Sequence, residues 1–310
     1  MRVMVAGNTG LVGSAISSEF QINGFEIIGA NRSVVDLSDF QDTLDFIGHH
    51  KPDIVIDAAA RVGGIGANNS FPVEFLIDNI TIQNNLMQAS HAHDVKKFVF
   101  LGSSCIYPRN SIQPIKEEYL LSGHLEQTNS AYAIAKIAGI ELIKSYRKEH
   151  SRDWISLMPT NLYGPKDNFN SESSHVLPAL IRRFVEAADS NATSITLWGS
   201  GSPLREFLHV NDLANAVLTA VQRYDSEMHL NVGSSVEISI RSLAEKIASA
   251  TNFKGKIVWD VSKPDGTPRK ILDSSKIGEL GWRPTISLEE GIASTVSWFR
   301  QASLRGEVRK

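Results

Sequence analysis

The sequence predicts an α/β fold: a doubly wound parallel sheet with helices on both faces. Short apolar strands alternate with helical patterns from residue 2 to residue 158, as in successive βαβ units. A glycine-rich turn at residues 7–13 joins the first strand directly to the first helix. Together these features indicate a Rossmann-type sheet whose ligand lies at the carboxyl ends of the strands.

Composition narrows the class of protein. A chain of 310 residues can bury a large core, and its net charge of −3 gives no reason to expect nucleic acid or an anionic membrane as partner. No apolar run approaches the ~20 residues that span a bilayer, and no signal peptide follows Met1. The single cysteine, Cys105, excludes an internal disulfide and a cysteine-rich metal site. We therefore expect a cytoplasmic protein without a metal, nucleic-acid or membrane partner.

The first half of the chain is the more regular half. Strands are expected at residues 2–6, 25–30, 53–57, 98–101 and 154–158. Helices are expected at residues 14–20, after a cap at Ser38 or Asp39, at residues 72–92 and from Tyr132 to about residue 150. This half is predicted to be a dinucleotide-binding domain over residues 1–165.

Beyond residue 165 the alternation loosens. Helices are expected at residues 175–188, after a cap at Asn211 or Asp212, and near residues 239–251 and 287–302, with a short strand at residues 195–198. We predict a smaller α+β substrate-binding lobe over residues 166–310. Its residues 205–235 are expected to return in part to the first sheet.

The glycine turn has the chemistry of a dinucleotide site. Gly7 permits a tight turn, Gly10 lets the backbone approach a pyrophosphate, and Gly13 lets the helix close on the strand. The helix N-terminus adds amide groups and a partial positive charge for the phosphates. The spacing is G-x-x-G-x-x-G rather than the G-x-G-x-x-G of standard dehydrogenases.

The end of the second strand bears on the choice of cofactor. Sites for NAD usually carry an acid there, which binds the ribose hydroxyls, whereas this chain has Ala30, Asn31 and Arg32. A cation fits an additional 2′-phosphate, so the sequence favours NADP(H), although an exposed loop arginine would give the same pattern. The candidate cofactor contacts are Gly7, Thr9, Gly10, Leu11, Val12, Gly13, Arg32, Asp36, Leu37, Ala59, Leu101, Lys136, Pro159, Asn161, Leu162 and His175.

Tyr132 and Lys136 are the candidate catalytic pair. Four residues apart on a helix, they lie on one face. A free phenol titrates near pH ~10, and a nearby ammonium is expected to lower that pKa toward the working range. Such a group could supply the proton that an alkoxide needs when hydride reaches a ketone. The spacing also occurs by chance in surface pairs, so the preceding glycine turn is what makes it informative.

The combined motifs resemble a known family. The glycine turn, the set Ser103, Tyr132 and Lys136, and residues 205–212 resemble the extended short-chain dehydrogenase/reductases, which act on nucleotide sugars. More narrowly, residues 102–108, 159–165 and 263–270 resemble the GDP-L-fucose synthase family, whose members are 3,5-epimerase-4-reductases of GDP-4-keto-6-deoxy-D-mannose. Asn8 and Thr9 depart from the His-Arg pair common in that family, which leaves the 2′-phosphate more dependent on Arg32.

The resemblance implies roles for the reacting groups. Tyr132 would protonate O4 as hydride reaches C4, Lys136 would hold the nicotinamide ribose, and Ser103 would bind the substrate oxygen. Cys105 and His175 would exchange protons at C3 and C5, as a thiol of lowered pKa and an imidazole can do. Taken alone, Cys105 would more often be an inert core residue and His175 a residue that starts a helix.

The resemblance also implies substrate contacts and an assembly. Arg205 is the best candidate for the diphosphate, because a guanidinium can pair two phosphate oxygens. His209 and Asp212 are expected to be structural, and a homodimer is expected through residues 72–92 and the helix that carries Tyr132. The further candidate substrate contacts are Ser104, Arg183, Trp198, Asp265 and Lys270.

Three other functions fit the same motifs. A related enzyme that makes GDP-L-colitose would act on a substrate without the 3-hydroxyl. An NAD-dependent sugar epimerase would retain its cofactor, and Arg32 and Cys105 argue against it. A non-catalytic NADP-binding regulator could share the fold, although such proteins can lose the Tyr or the Lys that this chain keeps.

Overall fold

The structure is a computed structural model that describes residues 1–263 and 265–308; Pro264 of the predicted loop 263–270 and residues 309–310 of the predicted second lobe lie outside the described residues. The strands are β1 Arg2–Ala6, β2 Glu26–Ala30, β3 Ile54–Asp57, β4 Lys97–Leu101, β5 Asp153–Pro159, β6 Asn161–Tyr163, β7 Ser194–Trp198, β8 Leu204–His209, β9 Leu230–Val232, β10 Glu237–Ser239, β11 Lys256–Asp260 and β12 Arg269–Lys270. The helices are α1 Leu11–Ile22, α2 Phe40–His50, α3 Ile65–Ser70, α4 Pro72–Ala92, α5 Ser130–His150, α6 Val176–Asp189, α7 Val210–Arg223, α8 Ile240–Thr251, α9 Ser275–Glu279 and α10 Leu288–Arg305.

The first sheet confirms the predicted fold class. Six strands pair in the order β2-β1-β3-β4-β5-β9, all of them parallel. One face is covered by α2, α4 and α5, and the other by α1 and α7. Strand order reverses between β1 and β3, which is where open sheets of this kind bind ligands.

The remaining strands form a second, smaller layer. Strand β8 pairs with β6, β10 and β12, while β7 pairs with β11. Helices α6, α8 and α10 pack around a separate apolar cluster that includes Phe169, Phe184 and Phe299. The short strand β9 leaves this part of the chain and pairs with β5 in the first sheet.

Helix starts show what the sequence pattern resolves. Asp39 caps α2 by accepting from the amide of Asp42 at 2.9 Å. The predicted cap of α7 at Asn211 or Asp212 is wrong, because Nδ1 of His209 accepts from the amide of Asn211 at 3.3 Å. Asp212 is committed elsewhere, since its carboxylate accepts from the amides of residues 285 and 286. Within the described ranges, no helix is both long and apolar enough to cross a membrane.

A buried polar network fastens β9 to the segment that follows β4. The Tyr107 hydroxyl donates to Oδ1 of Asn231 at 2.5 Å and lies 2.9 Å from Nε2 of His229. The amide of Asn231 donates to the buried carboxylate of Glu117, which pairs with Lys276 at 3.0 Å. Because the hydroxyl proton goes to Asn231, Nε2 of His229 is the donor to Tyr107. Burial, assisted by lysine charges nearby, lowers the pKa of His229 to about 4.

This network predicts a stability loss in mild acid. The unfolded chain binds a proton at His229 near pH 6.5 and the folded chain only near 4, so stability falls as the pH drops through that window. Between about pH 7 and about pH 5, the titration of His229 should lower the free energy of unfolding of the wild type by about 2 kcal/mol. His229→Gln keeps an N–H donor and removes the titration, so urea unfolding should show a smaller loss over the same range.

The matched control is His49→Gln, which replaces an exposed histidine at the end of α2. It should leave the acid-dependent loss unchanged. An equal loss in the wild type and in His229→Gln would contradict the assignment.

Candidate active site

The predicted catalytic set meets at the carboxyl end of β4. Ser103 follows that strand, and Tyr132 and Lys136 project from the first turns of α5. Nζ of Lys136 donates to the carbonyl of Leu101 at 2.9 Å and lies 5.9 Å from the centre of the Tyr132 ring. The Ser103 hydroxyl lies close enough to Tyr132 to act on its pKa. The structure therefore brings the three together in a nearly buried cluster.

The expected lowering of the Tyr132 pKa is a point on which the structure differs from the sequence. Burial raises the pKa of Tyr132 above its ordinary value, and the charges of Cys105 and Asp57 act in the same direction. The Ser103 hydroxyl acts in the opposite direction and lowers the pKa of Tyr132. Burial also lowers the pKa of Lys136. Tyr132 is thus held protonated, as a proton donor rather than as a phenolate.

Cys105 lies in a small recess with two nitrogen donors. Nδ2 of Asn129 donates to Sγ of Cys105 at 3.3 Å, and Nζ of Lys270 lies 4.0 Å from the same sulfur. The amide of Cys105 donates to the Ser103 hydroxyl at 3.3 Å. The recess joins the segment after β4 to β12, and all three side chains line it. Two nitrogen donors therefore face one sulfur atom.

His175 directly precedes the first residue of α6, within range of the Lys270 charge. Its side chain is open to solvent, yet the surrounding protein and then the Lys270 charge lower its pKa. It is therefore neutral near pH 7. The preceding loop is fixed by the amide of Gly64, which donates to the carbonyl of Ser173 at 2.9 Å.

The glycine turn leaves no room for side chains at the switch between β1 and β3. Gly7 has φ +74°, and a Cβ there would lie 2.8 Å from the carbonyl oxygen of Ala58. A Cβ on Gly13 would lie 2.2 Å from the carbonyl oxygen of Gly7. Gly10 begins α1 with no side chain over the helix end. This cradle fits a pyrophosphate that approaches bare backbone.

Arg32 lies on the surface, just past the end of β2. Its charge acts on Asp36, which is also exposed, as is Thr9 of the glycine turn. Nδ2 of Asn31 donates to Oδ1 of Asn8 at 3.0 Å, so the strand end is tied to the glycine turn. A cation beside that turn has the charge that a 2′-phosphate requires.

The other predicted cofactor contacts occupy the same sheet edge. Leu11 and Val12 open α1, and Leu162 packs partly buried beside the layer of α1 and α7. The amide of Ala59 donates to Asp57 at 3.2 Å, and Nδ2 of Asn161 donates to the carbonyl of Glu206 at 2.8 Å. Among the predicted cofactor contacts in this part of the described chain, Leu37, Leu101 and Pro159 are buried.

Two cations of the second layer face the carboxyl ends of the strands of the first sheet. The space between these strand ends and the second layer is called the cleft below. Arg205 on β8 and Lys270 on β12 are direct partners in a parallel ladder, so their side chains share one face. Nη1 of Arg205 donates to the carbonyl of Leu204 at 2.8 Å. Arg183 on α6 donates to the carbonyl of Thr196. Burial lowers the pKa of the Arg183 and Arg205 guanidinium groups, which stay charged.

The other predicted substrate contacts differ in how free they are. Trp198 ends β7 with its side chain 72% exposed, and Nζ of Lys263 lies 5.7 Å from its ring centre. Asp265 accepts from the amide and the hydroxyl of Ser200, at 2.9 and 2.6 Å, so its carboxylate fixes the loop. Ser104 is buried in the short 3₁₀ turn after β4.

The sequence reading missed three polar residues of this region. Asp57 ends β3 at 1% exposure, Glu206 on β8 is fully buried, and Asn129 supplies a donor to Cys105. A carboxylate that ends an apolar strand was a visible signal for Asp57. Among the described residues, no group of three histidine, cysteine or acidic side chains could hold a metal ion.

The sequence pattern of the NAD dependent epimerase/dehydratase family matches residues 3–233. The chain belongs to this family. A GDP-L-fucose synthase of Arabidopsis thaliana is 52% identical over 96% of this chain and 93% of its own length, and that of Escherichia coli (strain K12) is 49% identical over 96% of each. A GDP-L-colitose synthase of Yersinia pseudotuberculosis is a more distant member, 34% identical over 96% of this chain and 98% of its own.

A solved family structure agrees in fold. The GDP-L-fucose synthetase of Naegleria fowleri bound to NADP is 33% identical, with a TM-score of 0.91 over 100% of this chain and 96% of that one.

Proposed function

We propose that this protein converts GDP-4-keto-6-deoxy-D-mannose to GDP-L-fucose, with NADPH as the reductant. The observation that supports the proposal is the closeness of two groups of side chains, to which we assign the two kinds of proton transfer. One set is Ser103, Tyr132 and Lys136, and the other is Cys105 with Lys270 and His175. Reduction alone would use the first set; epimerisation beside a ketone needs the second.

The residues present fit NADP(H). The glycine cradle at residues 7–13 would hold the pyrophosphate, Arg32 the 2′-phosphate, and Lys136 the nicotinamide ribose. Asp36, Leu37, Ala59, Leu101, Pro159, Asn161 and Leu162 border that path. When bound, the cofactor supplies hydride to C4 of the sugar.

The first set completes the reduction. The C4 carbonyl becomes an alkoxide at O4, and the Tyr132 hydroxyl transfers its proton there. The raised pKa of Tyr132 ensures that this proton is present near pH 7. Ser103 holds the same oxygen, and its hydroxyl favours the phenolate that is left.

The second set performs the epimerisations. The Cys105 thiolate removes the proton from the carbon beside the ketone, and the electron pair of the broken C–H bond passes to O4 as an enolate. Asn129 and Lys270 hold the sulfur in place through their contacts with Sγ. His175 returns a proton to carbon; a lowered pKa makes its protonated form the stronger acid, and its exposure lets water resupply the proton.

The GDP part is assigned to the second layer. Arg205, beside Lys270 on the neighbouring strand, is the group for the diphosphate. Arg183 and the exposed ring of Trp198 flank the path beyond it, Asp265 fixes the adjoining loop, and Ser104 supports the turn that carries Cys105.

The direct test follows NADPH absorbance with GDP-4-keto-6-deoxy-D-mannose and identifies the product by NMR, with NADH in parallel. We expect rapid oxidation of NADPH, slower oxidation of NADH, and GDP-L-fucose. An unepimerised product would overturn the roles of Cys105 and His175. Turnover only with the 3-deoxy substrate would favour the colitose series, and no turnover with either would favour a non-catalytic protein.

Two variants should separate the half-reactions. Cys105→Ser should reduce deuterium incorporation at C3 and C5, measured by NMR in D₂O without NADPH, by at least about 100-fold, because general acid–base groups contribute on that scale. Tyr132→Phe should abolish NADPH oxidation while incorporation continues. Equal loss of both steps in Cys105→Ser would contradict a dedicated base.

A homodimer through α4 and α5 belongs to the same proposal. Val73 and Ile77 on α4 and Ile134 on α5 expose apolar side chains at 62%, 55% and 46%. Light scattering should give about twice the chain mass of 34.1 kDa, and Ile77→Glu should halve it. Leu304→Glu, at an exposed site on α10, is the control. A wild type of single-chain mass would contradict the dimer.

The cytoplasm is the expected location.

A further inference from the structure

Asp57 is a buried carboxylate that the catalytic scheme leaves unused. It ends β3 at 1% exposure, with Oδ1 accepting from the amide of Ala59 at 3.2 Å. Among the residues that the structure describes, Oδ2 has no hydrogen-bond partner, and it is buried. A buried carboxylate with half of its acceptor capacity empty needs a nearby positive charge to be ionised.

That positive charge is Lys136. Asp57 is the direct ladder partner of Phe100, so the two side chains share one face of the sheet. Nζ of Lys136 lies 4.7 Å from the centre of the Phe100 ring, over that same face. The other ladder neighbour of Asp57, Ala6, carries no charge.

The charges interact in both directions. Burial raises the pKa of Asp57 to about 6, and Lys136 is the charge that opposes this rise. Burial lowers the pKa of Lys136, and Asp57 is the charge that opposes that fall. The Asp57 charge also raises the pKa of Tyr132, as does that of Cys105 in the 3₁₀ turn.

We propose that Asp57 is a positioning residue that acts through Lys136: its carboxylate keeps the buried ammonium protonated and directs it toward the cleft. The same negative charge holds the proton on Tyr132. Near neutral pH, Asp57 thus maintains both protonated groups that the reduction requires. This inference rests on the proposed reduction.

The first test is the pH profile of NADPH oxidation. Asp57→Asn keeps the side-chain size and removes the charge, so both Lys136 and Tyr132 should lose their protons at lower pH. We expect the alkaline limb to move down by about one pH unit, a roughly tenfold loss of rate above it. Asp57→Glu, which restores the charge, should move the limb back toward its wild-type position.

The matched control is Asp53→Asn, just before the opposite end of β3, where the carboxylate accepts from Arg2 and Lys96. It should leave the limb in place. An unmoved or upward-shifted limb in Asp57→Asn would overturn the inference.

A second test needs no activity and therefore separates this inference from the proposed function. Thermal unfolding of Asp57→Asn, Lys136→Met and the double variant forms a double-mutant cycle. We expect the double variant to lose less than the sum of the single losses, because each single change leaves an uncompensated buried charge. Additive losses would contradict the pairing. If Asp57→Asn does not fold, recovery of folding by Lys136→Met supports the pairing and failure to recover overturns it.

Discussion

The buried carboxylate of Glu206 is the contact on which the cleft depends. Its oxygens accept from the amide of Ser235, after β9, at 2.6 Å and from the amide of Leu272, after β12, at 3.0 Å. No room is left around it, since a Cβ on Gly233 would lie 2.4 Å from Oε1. One side chain thus joins the edge of the first sheet to the second layer.

The cations of the cleft follow from that junction. Arg205 directly precedes Glu206, and Lys270 lies two residues before Leu272, so fixing the carboxylate fixes both strands in register. Burial raises the pKa of Glu206, while the surrounding amides favour its charged form. Because backbone amides, and not a cation, stabilise the Glu206 carboxylate, Arg205 and Lys270 remain available for an anionic ligand.

Much of this architecture could be predicted because it is local. Alternating apolar strands and helices indicate the fold class, and the glycine turn at residues 7–13 indicates the switch point. The spacing of Tyr132 and Lys136 put both on one helical face. The interactions that the sequence did not reveal are long-range. Asn129 donates to Cys105 across 24 positions, and the charges of Asp57 and Lys136 act on each other only when the sheet forms.

Electrostatics was harder to predict than geometry. The prediction of a lowered pKa for Tyr132 considered the neighbouring ammonium but not the loss of water around a buried side chain. Burial has the larger effect on this pKa. The predicted cap of α7 was wrong for a related reason. Asp212 has a suitable side chain for a cap, but its carboxylate accepts hydrogen bonds from the distant amides of residues 285 and 286.

The return of β9 to the first sheet has a consequence for how the chain can be divided. A fragment that ends after β6 would lack both β9 and α7, leaving β5 as a bare edge and the apolar face of α1 uncovered. Open strand edges recruit other chains and promote aggregation. We therefore expect a fragment of residues 1–165 to aggregate, and insertions or fusions to be better tolerated in surface loops than near residue 165.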